Sequence, residues 1–139
     1  MRFISKLLVC AGMFICLSAQ AQDAKDVEKA QAVAEQWLAA TDAGKHPSAW
    51  TDSAAAFRSA VSSNDWEKAI VGVRTPLGSL KKRTLKSAKF TRSLPGAPDG
   101  EYVLIQYDSE FANRPAALET IVPMREKDGS WKVSGYFIQ

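Results

Sequence analysis

Val27, Ala30, Ala34, Trp37, Leu38 and Thr41 recur three or four positions apart, the spacing that lines side chains up on one face of an α-helix. Asp23 and Asp26 read as an acidic helix start and Gly44 as its end, so the spacing predicts a first helix between them. Pro47 suits the first position of a second helix, where its missing N–H would be unpaired anyway. Trp50, Ala54, Phe57 and Val61 supply the apolar stripe of that helix. Ser62 or Ser63 offers a cap for a third, with the stripe Trp66, Ala69, Ile70, Val73 and Leu77, closed by Pro76 and Gly78.

From Lys82 onward the residues become β-branched and aromatic and the period shortens to two. Turn clusters at 94–100, at Asn113-Arg114-Pro115 and at Asp128-Gly129 divide this half into four strands. Along the second, Val103, Ile105, Tyr107, Ser109 and Phe111 share a face expected to point inward, with Gln106, Asp108 and Glu110 on the other. The third groups Leu118, Thr120, Val122 and Met124; the last sets Trp131, Val133, Gly135 and Phe137 against Lys132, Ser134 and Tyr136. Leu85 and Phe90 in the first strand have opposite parity, so both reach the core only across a bulge that curves the sheet. Helices first and a meander afterwards predict an α+β fold, with N-terminal helices packed on a curved four-stranded antiparallel sheet.

Composition adds the compartment. The 139 residues are 46% hydrophobic and 24% charged, the make-up of one globular domain rather than of a disordered chain, a collagen or a repeat array. Arg2 and Lys6 precede an apolar run at 7–17, and Ala19-Gln20-Ala21 places small residues where a signal peptidase needs them. Residues 1–21 are therefore expected to be a secretory signal, cleaved between Ala21 and Gln22 to leave one domain at 22–139 in the periplasm or secreted. The uncharged run at 7–19 has 13 residues, fewer than the roughly 20 that span a bilayer, so no transmembrane segment is expected in the mature form. Without Arg2 and Lys6 the net charge falls from +3 to +1, which does not support a cationic polyanion binder. Cys10 and Cys16 both lie in the signal behind Val9 and Ile15, which are too large for a lipoprotein site. The mature chain then lacks any disulfide, thiolate nucleophile or Cys metal site.

The run at 94–102 (LPGAPDGEY), Gln106-Tyr107, Phe111-Ala112-Asn113, the ending at 128–136 (DGSWKVSGY), and the helical segment with Trp66 and Thr75-Pro76-Leu77-Gly78 together resemble the bacterial domain-of-unknown-function 4019 family. The resemblance implies an exported bacterial domain of the cone-shaped, helix-on-curved-sheet type found in nuclear transport factor 2-like and cystatin-like proteins. It implies no activity and no catalytic residue.

Candidate chemistry is sparse. His46, the one histidine, sits at a turn, and a pairing with Asp52 would need both in one pocket. Trp37, Trp50, Trp66 and Trp131 fall on apolar faces and read as core, with N–H groups that need partners. Lys81, Lys82, Arg83, Lys86, Lys89 and Arg92 occupy both parities of the first strand, the pattern of a solvated edge rather than of a phosphate grip. Tyr107 and Ser109 are polar groups on an inward face and are the candidate ligand-binding residues, lining a cavity between sheet and helices. No catalytic residue, metal site or cofactor motif stands out. The expectation is a binding module for a small ligand or an envelope protein, with no specific nucleic acid partner. The alternatives are a cofactor-free enzyme using the sheet cavity, and a structural protein whose loop at 94–100 meets a partner.

Overall fold

Helix α1 runs Ile15–Asp42 in the computed structural model, which describes residues 15–139. Arg2, Lys6, Cys10 and the apolar run up to residue 14 lie outside the described residues. The helix begins well before Asp23 because Ala19, Gln20, Ala21 and Gln22 all favour helix and nothing interrupts them. Asp26 is consequently not a helix start: it is buried inside α1 and its Oδ2 pairs with Arg125 Nη2 at 2.5 Å. Gly44, at φ 74°, ends the helix as expected, with Lys45 N–H returning to Ala40 O at 2.9 Å.

The expected second helix is broken in two, α2 (His46–Thr51) and α3 (Ala55–Ala60). The break has a tertiary cause: Ala54 N–H leaves the helical ladder to donate to Val133 O at 2.8 Å. Ser53 Oγ also accepts from Trp37 Nε1 at 2.9 Å. Helix α4 (Ser63–Leu77) starts as the sequence indicates, with Ser62 Oγ accepting from Asp65 N–H at 3.1 Å. Its stripe is only partly covered, since Trp66, Ile70 and Leu77 are buried while Ala69 and Val73 are exposed. Gly78 closes α4 at φ 75°, where a Cβ would come within 3.0 Å of Ala112 Cβ. That close approach docks the helix end on the turn at Ala112 and Asn113, where Asn113 N–H reaches Leu77 O at 2.9 Å.

Strands β1 (Leu80–Thr91), β2 (Tyr102–Phe111), β3 (Arg114–Arg125) and β4 (Trp131–Ile138) form one antiparallel sheet in the order β1-β2-β3-β4. The helices cover one face of it. The bulge expected in β1 lies between Leu85 and Ser87, so Leu85 opposes Tyr107 and Phe90 opposes Val103, but only Phe90 packs against the core and Leu85 is 43% exposed. Pro115 and Pro123 both fall at register shifts, where a missing N–H interrupts no regular ladder. In β3 the group Leu118, Thr120, Val122 and Met124 does share a face, but the outer one; Ala117, Glu119 and Ile121 point inward opposite Ser109, Tyr107 and Ile105. In β4 the shift at Val122/Pro123 makes Ser134 the extra residue, so Trp131 and Val133 point inward as expected and the parity reverses from Gly135 onward. Tyr136 therefore turns inward opposite Ile121, while Phe137 turns outward and is 60% exposed.

The core packs Ala30, Ala34, Trp37 and Leu38 of α1 onto Val103, Ile105, Ile121 and Val133. Trp37 lies 5.4 Å from Trp66 and 5.2 Å from Tyr136 between ring centroids, so the two tryptophans are core, as their stripes indicate, and Tyr136 joins them. Trp37 and Trp50 donate to Ala49 O and Val61 O, whereas Trp66 and Trp131 Nε1 are buried without a protein partner. Among the described residues no helix is long and apolar enough to cross a membrane.

Candidate functional site

Strand pairing places Tyr107 opposite Glu119 and Arg83 opposite Ser109, so four polar side chains meet on an otherwise apolar face. Glu119 is fully buried. Its Oε1 accepts from Arg83 Nε at 2.7 Å and from Ser109 Oγ at 2.5 Å. Its Oε2 accepts from Arg83 Nη2 at 3.0 Å and, in a very short bond, from the Tyr136 hydroxyl. The far side of the Arg83 guanidinium grips Asp42 at the end of α1, with Nη1 to Oδ2 at 2.7 Å and Nη2 to Oδ1 at 3.1 Å. Arg74 of α4 donates to Asp42 Oδ1 at 2.7 Å and lies over the Phe111 ring at 4.9 Å. One carboxylate chain thus links α1, α4 and all four strands.

Two carboxylates alternate with two guanidiniums, so the formal charges cancel and each carboxylate keeps strong, charge-assisted bonds in place of water. Burial pushes Asp42 up, but the bonds and charges of Arg83 and Arg74 outweigh it and hold the carboxyl below its ordinary 3.8. Burial and then the Glu119 charge push the Tyr136 phenol far above its ordinary range. Tyr107 is pushed up to about 12, first by burial and then by the Glu35 charge, with Arg83 opposing and Glu119 adding the smallest effect. Its hydroxyl is buried and without a hydrogen-bond partner in the protein.

Both sequence candidates therefore come to this network, in different roles. Ser109 is committed to Glu119, and Tyr107 stands beside the same carboxylate unpaired. Three grooves open on the molecule, and Tyr107 lines none of the three. One of about 520 Å³ lies over the exposed end of the network, lined by Thr41, Asp42, His46, Arg74, Thr75 and Ser79. A second, of about 480 Å³, sits at the β2–β3 hairpin between Lys82, Asp108, Glu110 and Arg114 and reaches Ser109. The third, of about 290 Å³, separates α4 from the end of β4. His46 lines the first groove and begins α2, while Asp52 caps the other end of that helix; no hydrogen bond or ion pair joins them.

Arg83 corrects the solvated-edge reading of the basic stretch. Its neighbours do face water: Lys86 pairs loosely with Asp108 at 3.5 Å, and Arg92 reaches Asp23 at 3.6 Å. Arg83 alone turns in, on the parity of Leu85 before the bulge. Glu119, Asp42, Arg74 and Tyr136 were not singled out from the sequence. The available signal was parity, because Glu119 alternates with Ala117 and Ile121 and so takes a position that an apolar face normally fills. A separate pair of bridges, Asp26–Arg125–Glu101, ties α1 to the start of β2, with Arg125 over the Trp131 ring at 5.1 Å.

Each Glu119 oxygen already accepts two bonds, which leaves it poorly placed to take a proton from a substrate. Among the described residues no group of three His, Cys, Asp or Glu side chains is arranged to hold a metal ion. Residues 33–136 match the family described as a protein of unknown function, DUF4019, a span that contains Asp42, Arg74, Arg83, Ser109, Glu119 and Tyr136. Searches of the curated proteins and of the solved structures find no match to the chain. A family match over well more than half of its length makes this chain a member of the DUF4019 family.

Proposed function

We propose that the protein is an exported, non-catalytic binding module of the bacterial cell envelope, with the helix-on-curved-sheet shape of nuclear transport factor 2-like and cystatin-like proteins. Its ligand is a small, neutral, hydroxyl-bearing molecule held in the groove over Asp42 and Arg74. One observation carries this reading: Glu119 is saturated by four bonds inside the sheet, and the part of the network that reaches the surface is a charge-balanced Asp42–Arg74 pair, with Arg74 Nε and Nη1 left without a partner, among Thr41, His46, Thr75 and Ser79. Fixed donors and acceptors of no net charge suit a polar uncharged ligand. Ser109 acts here through Glu119, and Tyr107 stands behind the groove beside the same carboxylate.

Export is supported by where the body begins. Ser18, Ala19, Gln20 and Ala21 are exposed, whereas Asp26 is buried and pinned by Arg125, so the side chains on both sides of a cut between Ala21 and Gln22 are accessible. The mass of protein recovered from the periplasm is expected to correspond to a chain starting at Gln22; a retained Met1 would contradict export. Binding is tested by titrating polyols and sugars while following backbone amide resonances. Shifts confined to 41–46 and 74–80, weakened by Asp42→Asn, support the groove. Turnover of a hit, or shifts confined to another surface, would overturn the reading.

A further inference from the structure

The two edges of the sheet are guarded unequally. β1 carries Lys81, Lys82, Lys86 and Lys89 and two register shifts, the devices that stop an edge strand from pairing with another chain. β4 forms the other edge, and from Ser134 to its end it has neither a charge nor a proline. Its first half is covered, because Ala54 N–H caps Val133 O at 2.8 Å. Past the bulge it is open. Leu118 and Gln139 exchange both of their backbone hydrogen bonds at 2.9 Å, so by the alternation of an antiparallel ladder Phe137 also bonds inward to Thr120. Tyr136 and Ile138 then turn their N–H and C=O groups outward, and among the described residues no backbone partner reaches them. Alongside lies the groove between α4 and β4, lined by Trp66, Ala69, Ile70, Val73, Tyr136, Phe137 and Ile138, with Val73 48% and Phe137 60% exposed.

We propose that this open half of β4 pairs with the same segment of a second copy of the chain, antiparallel about a two-fold axis at Phe137. The edge is complementary to itself. Its outward residues are two apart, so Tyr136 of one copy falls opposite Ile138 of the other and exchanges two hydrogen bonds, and the reciprocal pair exchanges two more. Phe137 meets its own copy at the intervening non-hydrogen-bonded position, where side chains approach most closely, and the most exposed large apolar residue is covered. Charge favours a second copy in particular: no side chain in 134–139 is charged in either copy, so no like-charged side chains meet, whereas pairing through β1 would oppose lysines. The seam brings the exposed Ala69 and Val73 of each α4 toward the axis.

An interface this short belongs to the weak class, below about 1,200 Å², so sedimentation of the protein should show a reversible, concentration-dependent dimer. Phe137→Lys changes an outward side chain and places two ammonium groups at the axis; it should raise the dissociation constant about tenfold or more with the fold unchanged. Ile138→Pro removes an outward N–H that the monomer does not use, and should give the same loss. Phe137→Cys in a Cys10→Ser, Cys16→Ser background should form a disulfide-linked dimer on mild oxidation, while Thr120→Cys in the same background should not. A chain that stays monomeric at all concentrations, a dimer indifferent to Phe137→Lys, or cross-linking no faster than the Thr120→Cys control would overturn the proposal. So would pairing of this edge only with a foreign extended peptide.

Discussion

The inner face of the sheet has two halves that do the same packing job by opposite means. Around Val103, Ile105, Ile121 and Val133 it is apolar, and α1 meets it with Ala30, Ala34 and Leu38. Around Ser109 and Glu119 it is ionic, and α1 and α4 meet it with Asp42 and, on the latter, Arg74. The apolar half is held by area removed from water and tolerates imprecise geometry. The ionic half is held by geometry, since buried charges lose their hydration and regain it only through well-placed partners. The ionic half should therefore fail abruptly when one partner is lost, and the apolar half gradually.

The largest effect is expected from Arg83→Met, which leaves Glu119 and Asp42 without their shared cation and should cost about 3–5 kcal/mol in urea unfolding. Ile121→Val in the apolar half should cost only about 0.5–1.5 kcal/mol, because a single methylene leaves a small cavity. Tyr136→Phe removes a donor to buried Glu119 and should cost about 1–3 kcal/mol. Tyr107→Phe removes a hydroxyl that has no partner, so stability should stay level or rise; a clear loss would show that the hydroxyl is bonded in solution.

Titration sharpens the same contrast. Because the folded Asp42 carboxyl lies below its ordinary 3.8, its contribution is complete above that value and fades as the pH falls through the lower folded value. Acid unfolding should therefore be blunted in Asp42→Asn relative to the unchanged chain. At the alkaline end the folded phenol of Tyr107, at about 12, lies above its ordinary 10.0, so its contribution is full below 10 and is lost as the pH rises toward 12. Absorbance titration should find the Tyr107 and Tyr136 phenols resisting ionisation until the chain unfolds.

The sequence was most legible where one period governed a segment. The α1 stripe, the Ser62 cap, the Tyr107 and Ser109 face and the β1 bulge all follow from spacing. It was least legible where tertiary contacts override a period. Val133 O captures Ala54 N–H and splits the second helix, and the extra residue Ser134 exchanges the faces of Tyr136 and Phe137. The ionic half was hidden for a related reason. Arg83 looks like its lysine neighbours, and Asp42 and Arg74 lie on different helices, so only the assembled register shows that they share Glu119 as a centre.

That sharing is most directly measured by a double-mutant cycle of Arg83→Met and Glu119→Gln in equilibrium urea unfolding. If the two side chains act as one buried unit, the double variant should be more stable than the sum of the single losses allows, by about 2 kcal/mol or more. Losses that add to within about 0.5 kcal/mol would contradict the account, since two groups joined through two bonds in a dry interior cannot be independent.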